Sequence, residues 1–395
     1  MKRIALVFAL LAITAGALSG CGGQQPAQPA AKPEEKPAET TEVVIGVSAP
    51  LTGTIPVVGR GTKFGAEMAA EEVNAAGGLD VGGKKYKVRL IIEDSANDPK
   101  QTAAVFQKLI TKDNVLVVIG DQASKCSMAG APIAQSNGVP MVTPWSTTDA
   151  VTAGKDYVFR ACFRNSFQAG MMAKYAIENL SFKKAAVLYD IASDSLKDLA
   201  ERFREAFLKY GGEVVAFETY TTGDKDFSAQ LTKIKAAKPD CIYIASYYDE
   251  GGLQVKQARK LGITCPILGT DGWDSPELVE LGGEVMEGIL FTDHYAVDIA
   301  SDKAKVFIDK YQKKHNLIPD APAALTYDAA MLTFQAIQKA GKLDRKAVRD
   351  ALATTDYEGV TGRIKFNPGS GDPDKDVIIV EIKGGKFTYK AVVKP

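Results

Sequence analysis

The sequence predicts an α/β protein of two lobes, each a mostly parallel sheet flanked by helices. Three observations carry this expectation. From residue 43 onward, short apolar strands alternate with amphipathic helices, an order that builds parallel sheets with right-handed crossovers. Residues 115–120 (VLVVIG) are nearly all apolar, as in a strand covered by helices on both faces. The same rhythm then restarts at residue 166, so two sheets are expected rather than one.

The elements follow in order. Residues 43–48 (VVIGVS) read as the first strand. Residues 60–76 read as a helix with Phe64, Met68, Ala69 and Val73 on one face, ended by Gly77 and Gly78. A strand is expected over 87–94, a helix over 99–112 with Pro99 in its first turn, and the apolar strand over 115–120. A helix over 127–136 and a strand over 139–143 complete the first run. The second run reads as helices over 166–179, 196–210, 227–237 and 251–261, with strands over 184–190, 213–220, 241–246 and 266–270. After Asp293 the order changes to successive helices, over 301–315, 323–340 and 344–353, which must pack back onto one or both lobes. The chain ends in strands, with Gly384-Gly385 as a hairpin turn.

Ahead of this lies an address. Lys2 and Arg3 precede an apolar run over 4–18 that only Thr14 interrupts. The run is shorter than the roughly 20 residues a bilayer core requires, and the pattern is that of a secretory signal peptide. It ends in Leu18, Ser19, Gly20 and Cys21, which resembles the lipobox of bacterial lipoproteins. That resemblance implies removal of residues 1–20 and lipidation of Cys21. Residues 24–39 hold Pro26, Pro29, Pro33 and Pro37, with no aromatic and no aliphatic larger than Ala. Such a stretch cannot bury a core, so 21–41 reads as an extended tether. No later stretch is apolar enough to span a membrane, leaving the lipid as the expected anchor.

Composition excludes several functions. The 395 residues carry 48 Lys plus Arg against 48 Asp plus Glu, without the basic excess of a nucleic-acid binder. Two histidines, His294 and His315, lie far apart in sequence, so neither a histidine metal cluster nor several-histidine chemistry is expected; each reads as a surface or hinge-side residue. Residues 78–85 (GLDVGGKK) approach a phosphate loop, but Lys85 replaces its Ser or Thr and a strand follows instead of preceding it. Gly59-Arg60-Gly61 lacks the third glycine of a dinucleotide fingerprint, Phe64 standing in its place. There is no G-x-S-x-G and no H-E-x-x-H. No cofactor is implied. With Cys21 given to lipid, Cys126, Cys162, Cys241 and Cys265 remain. Two disulfides, Cys126 with Cys162 and Cys241 with Cys265, and four buried free thiols are both open readings.

In open parallel sheets ligands bind outside the carboxyl ends of the strands. The loops that matter are therefore 49–59, 121–125, 145–149, 191–195, 247–250 and 271–275. Ser124 sits at a helix start, and Ser146 and Thr147 follow Trp145 at a strand end. Hydroxyls and helix N-termini suit a carboxylate, although each also serves as a cap or turn former. Asp271 (GTDGWDS) could hold an ammonium, and Tyr247 and Tyr248 end another strand of the same run.

Taken in order, IGVSAPLTG at 45–53, GAEMAAEEVNAAGGL at 65–79, VIGDQASKCSMAGAPIAQSNGVPMVTPWST at 118–147, FQAGMMAKYA at 167–176, QARKLGI at 257–263 and ALTYDAAM at 324–331 resemble the substrate-binding proteins of branched-chain amino acid ABC transporters. The resemblance covers the whole mature domain. It implies the type I periplasmic-binding-protein fold: a first lobe of 42–164 and 295–370, a second of 165–294 and 371–395, and three hinge crossovers between them. It implies a monomeric, extracytoplasmic binder with no catalysis, held to the membrane by its lipid alone, that closes over an amino acid and is read by a permease. Residue by residue, Ser124, Thr147 and nearby backbone N–H groups of the first lobe would meet the ligand carboxylate, Asp271 and main-chain carbonyls around Trp145 the ammonium, and Tyr247 would close over the ligand, with Ser146 a further candidate ligand residue. This chain departs from the family at Val58 and Pro322, where wall aromatics are usual, and at Trp145, where a small residue is usual. Trp145 would narrow the pocket, stack on a flat ligand such as an aromatic amino acid or small amide, or pack outward on its own lobe. The same fold also serves ligand sensors, so transport and sensing are both expected roles. An enzyme on this scaffold finds no nucleophile elbow or metal cluster to rest on.

Overall fold

The structure, a computed structural model, describes residues 41–394. The expected signal peptide, Cys21 and the tether up to residue 40 lie outside the described residues.

The first lobe opens with β1 (Thr41–Ala49), α1 (Pro56–Ala75), the hairpin β2 (Leu79–Val81) and β3 (Lys84–Asp94), then α2 (Pro99–Thr111), β4 (Val117–Ile119), α3 (Ser124–Ser136), β5 (Met141–Thr143) and β6 (Val158–Arg160). Its six strands run in the order β2-β3-β1-β4-β5-β6, and all pairs except the β2–β3 hairpin are parallel. The second lobe follows as α4 (Asn165–Glu178), β7 (Lys184–Asp190), α5 (Asp194–Lys209), β8 (Glu213–Tyr220), α6 (Ser228–Ala237), β9 (Cys241–Ala245), α7 (Tyr248–Lys260), β10 (Ile267–Gly269), α8 (Pro276–Gly282) and β11 (Leu290–Asp293). The chain then returns through α9 (Asp302–His315), α10 (Ala321–Ala340) and α11 (Arg345–Leu352) to a small sheet of β12 (Asp356–Gly359), β13 (Gly362–Phe366) and β14 (Pro373–Asp374). It ends in β15 (Val377–Lys383) and β16 (Lys386–Val393), which add antiparallel strands to the second sheet, ordered β16-β15-β11-β10-β9-β7-β8.

Local chemistry accounts for the boundaries. Side chains of Asp98, Ser193, Ser301, Asp320 and Asp344 accept a backbone N–H two or three residues into α2, α5, α9, α10 and α11, satisfying an orphan donor at each start. Pro56 begins α1 earlier than the expected residue 60 because proline is pre-set for a first turn. The GLDVGGKK stretch is the β2–β3 hairpin rather than a plain helix-to-strand turn, its two central glycines at φ +61° and +84°. Gly384 and Gly385, at +54° and +71°, turn β15 into β16 as expected. The strands β6 and β11 carry no alternating pattern and were not distinguishable from loop by periodicity.

The chain crosses between sheets three times: after β6, after β11, and between β14 and β15 through Lys375 and Asp376. The helix-rich tail packs on the first lobe, with α10 against α1 and most of α10 buried. Cys126, Cys162, Cys241 and Cys265 are all free thiols. Burial pushes the Cys126 and Cys162 thiols up to about 12, so they behave as small apolar residues.

Candidate functional site

The carboxyl ends of both parallel sheets face one small space. Its lining brings together Ser124, Trp145, Thr147, Tyr247 and Asp271, five of the residues singled out from sequence, with Gln122, Asn165, Ser195, Leu196, Leu199, Thr270 and Gly272. The space is about 20 Å³, room for about one water. An amino acid therefore enters only if the lobes part. Thr148 Oγ1 donates to Ser195 Oγ across the lobes at 2.8 Å, Arg60 reaches Glu277 at 3.8 Å, and Ala321 N–H donates to the Asp274 carboxylate.

The first-lobe wall is built on the turns after β4 and β5. Ser124 opens α3, and its Oγ accepts the Thr148 N–H at 3.2 Å. Thr147 is buried at the rim of the cavity, its carbonyl tied to the Asn165 N–H at 2.7 Å. Ser146 lies beneath the wall and not in the lining. Its hydroxyl sits 2.6 Å from Ser127 Oγ and 2.9 Å and 3.1 Å from the carbonyls of Gln122 and Asp121. That is a structural role: it fastens one turn to the other. Arg160 lies below, with no exposed side chain, donating to Asp372, to the carbonyls of Ser146 and Thr148, and to Thr152 Oγ1. The wall is thus neutral on its face and held by a buried cation behind it.

The second-lobe wall carries charge. Asp271 starts a single 3₁₀ turn after β10 and is buried. Its N–H donates to Gln168 Oε1 at 3.1 Å. His294 Nε2 lies 3.2 Å from Asp271 Oδ2. Burial lowers the His294 pKa, with the Asp271 bond opposing, so the neutral ring donates through Nε2–H and orients the carboxylate. His294 is 2 % exposed and stacks on Phe163 at 3.8 Å between ring centroids. It is a hinge-side residue, not a surface one, and sequence gave no sign of its contact with Asp271. Nearby, burial raises Asp274 to about 7 and Asp320 to about 8.

Trp145 turns toward the cavity. Its ring tilts against Tyr247 at 6.1 Å and 54°, so the outward-packing alternative is not the one adopted. Tyr247 caps the start of α7 and burial pushes its hydroxyl pKa up; Tyr248 is buried beside it rather than exposed. Three buried polar atoms of lining residues have no hydrogen-bond partner: Gln122 Oε1, Trp145 Nε1 and Asn165 Oδ1. Unpaired buried polar groups are costly, and here two acceptors and one donor belong to residues that line the same space. Gln122 and Ser195 belong to strand-end loops flagged from sequence; Asn165, Leu196 and Leu199 carried no such signal. Val58 and Pro322, expected on the side-chain wall, lie outside the lining. Val58 falls inside α1 and points into the core, because Pro56 starts the helix before it; Pro322 sits in the first turn of α10 and is buried there.

Comparison with known proteins places this geometry. The periplasmic binding protein family profile matches residues 42–386. The chain is 35 % identical over 323 residues to the Leu/Ile/Val-binding protein homolog 3 of Brucella melitensis, covering 82 % of this chain and 85 % of that protein. It superposes with a TM-score of 0.84 on a leucine binding protein of Thermotoga maritima, at 40 % identity, covering 89 % of this chain and 99 % of the other. A branched-chain amino acid transporter substrate binding protein of Streptococcus pneumoniae, solved in complex with isoleucine, gives a TM-score of 0.84 at 35 % identity, over 90 % of this chain and all (100 %) of that one.

Proposed function

The chain belongs to the periplasmic binding protein family, and from that premise we propose that it is an extracytoplasmic solute-binding protein that traps an aliphatic amino acid between its lobes and presents it to an ABC permease. The observation that carries this reading is the pairing of opposite chemistries across one narrow space. Hydroxyls of Ser124 and Thr147 and the start of α3 lie on one side, and the buried Asp271 carboxylate lies on the other.

The ligand carboxylate sits against Ser124, Thr147 and the first N–H groups of α3, where partial positive charge favours an anion. The ammonium sits against Asp271, with the unpartnered oxygens of Gln122 and Asn165 as further acceptors. The side chain lies among Trp145, Tyr247, Leu196 and Leu199. No step is chemical: binding is hinge closure around a zwitterion. Residues 1–20 are removed as a signal peptide, and Cys21 is lipidated and tethers the monomer to the membrane's outer face.

Thermal shift against the twenty amino acids tests the reading. A ligand at 100 times its Kd adds about 2.7 kcal/mol. Leucine, isoleucine or valine is expected to raise Tm by several degrees; no shift with any amino acid overturns the proposal. The tilted Trp145–Tyr247 pair favours one second reading, an aromatic amino acid, which a shift confined to phenylalanine, tyrosine or tryptophan would select.

A further inference from the structure

His294 joins the hinge to the cleft. It is the first residue after β11, on the second of the three crossings. Its ring stacks at 3.8 Å and 20° on Phe163, which lies on the first crossing. A cavity of about 420 Å³ opens between the second and third crossings. The His294 side chain has no exposed surface, so the imidazole does not open onto that cavity. Its polar contact is with one neighbour, the Asp271 carboxylate.

The contact divides that carboxylate. Oδ2 lies 3.2 Å from His294 Nε2. Oδ1 accepts no bond from a described residue and is not one of the buried polar atoms left without a partner. The Asp271 side chain keeps 8 % of its surface and lines the cleft cavity, so Oδ1 remains open to a ligand. Among the described residues, no Lys or Arg nitrogen lies within 4.0 Å of this carboxylate.

The imidazole stays neutral for a geometric reason. Its Nε2–H is spent on Asp271, so a second proton would go to Nδ1. Nδ1 is buried and has no partner among the described residues, and a buried N–H without an acceptor is costly. The groups around the ring agree with this. Burial lowers the His294 pKa most, Asp271 opposes it, and Lys375 on the third crossing lowers it further. Asp293, the remaining nearby carboxylate, accepts the His294 backbone N–H at 2.6 Å. A neutral donor fixes the Asp271 carboxylate without cancelling its charge, as a Lys or Arg at the same place would. An uncompensated buried charge is costly, so a cation arriving in the cleft is favoured.

We propose that His294 is a positioning residue that sets the charge selectivity of the cleft: it holds Asp271 by Oδ2, leaves Oδ1 and the negative charge to the ligand, and so requires the ligand to bring a cation of its own. A primary amine is then selected over an acid or alcohol of the same shape. The inference rests on the amino-acid reading of the cleft and adds the residue that enforces the ammonium.

Two ligands and two variants test it. Leucine and 4-methylpentanoate, which is leucine without its ammonium, are compared by calorimetric titration and by Tm shift on the full chain. The variants are His294→Phe, which keeps a ring against Phe163 but has no donor, and His294→Gln, whose amide can donate as Nε2–H does. Leucine is expected to bind His294→Phe about tenfold or more weakly than the wild type, as for a lost hydrogen bond to a charged group. 4-Methylpentanoate is expected to be unweakened, and His294→Gln to recover most of the leucine loss. A loss shared equally by both ligands, no loss with leucine, or no recovery in His294→Gln overturns the proposal.

Imidazole nitrogen NMR of the unliganded chain is the second arm, made simple by a sequence with two histidines. His294 is expected as the neutral Nε2–H form at about pH 6, where a free imidazole, of pKa about 6.5, is mostly protonated. A charged ring at that pH, or a proton on Nδ1, overturns the proposal, and this arm decides alone if His294→Phe does not fold. If no amino acid binds the wild type, the cleft reading fails on that result, and the NMR arm by itself still upholds or overturns the hold of His294 on Asp271.

Discussion

The two walls of the cleft solve the same problem in opposite ways. The first-lobe wall presents hydroxyls and backbone, with its charge hidden behind it in Arg160, which ties down the turn after β5 through the Ser146 and Thr148 carbonyls and joins it to Thr152 and Asp372. The second-lobe wall presents a carboxylate directly, oriented by the neutral His294, while the Gln168 amide oxygen accepts the Asp271 backbone N–H. A neutral wall needs rigid placement, since hydroxyl and N–H donors act only at hydrogen-bond range. A charged wall acts over a longer range but must be desolvated, which raises the cost of leaving it unpaired. The difference suggests that damage to the first wall reads out as stability and damage to the second as affinity.

Four measurements sharpen or break this contrast. The largest effect is expected for Arg160→Met, which takes from Asp372 its buried cation, leaving it the Thr152 hydroxyl and the half-exposed Arg164, and frees two wall carbonyls. Denaturant unfolding should show a loss of about 3–5 kcal/mol, as when a buried pair loses one partner; a loss under 1 kcal/mol would mean the wall holds itself. Next, Asp271→Ala should weaken amino-acid binding by at least about 100-fold, or about 2.7 kcal/mol, in calorimetric titration, with a much smaller change in Tm. Unaltered affinity would remove Asp271 from the site.

Third comes pH. Burial raises Asp274 to about 7 and Asp320 to about 8, from 3.8 when unburied. Between about pH 4 and 7 the unfolded chain has released protons that the folded chain keeps. Stability from these groups is therefore present at the acid end and falls as pH rises through that window, by at most about 1.4 kcal/mol per pH unit for each carboxyl. The comparison to make is Tm from pH 5 to 8 in the wild type and in Asp274→Asn, whose slope should be shallower. Parallel slopes would show that Asp274 is ionised in the folded protein. The smallest effect is expected for Thr148→Val, which removes the bond to Ser195 across the lobes. A net hydrogen bond is worth about 1 kcal/mol, so affinity should fall roughly fivefold with the unliganded Tm little changed; an unchanged affinity would show that this bond does not help hold the lobes closed.

Much of the architecture was legible because it rests on local rules. β7 and β8 fall where the apolar runs place them, and the capped helices begin within a few residues of their signals. The loops of the site were legible for a topological reason, since ligands gather at strand ends in parallel sheets. What could not be read were contacts between segments far apart in the chain. His294 meets Asp271 across 23 residues, and Asn165 enters the lining from a helix start that carries no special composition. Ser146 illustrates the converse. Its type and position matched the ligand site, yet its hydroxyl is spent on holding one turn to the next.

The sequence by itself determined the alternation of strands and helices, the two lobes, the family and the chemistry available at the strand ends. These depend on periodicity, caps and turn residues, which act over a few neighbours. The tertiary structure alone decided which way Trp145 turns, which serine faces the cleft, that four thiols stay free, and that a cavity opens between two crossings. Side-chain direction, partner choice and void space are set by packing against distant segments, and no local pattern records them.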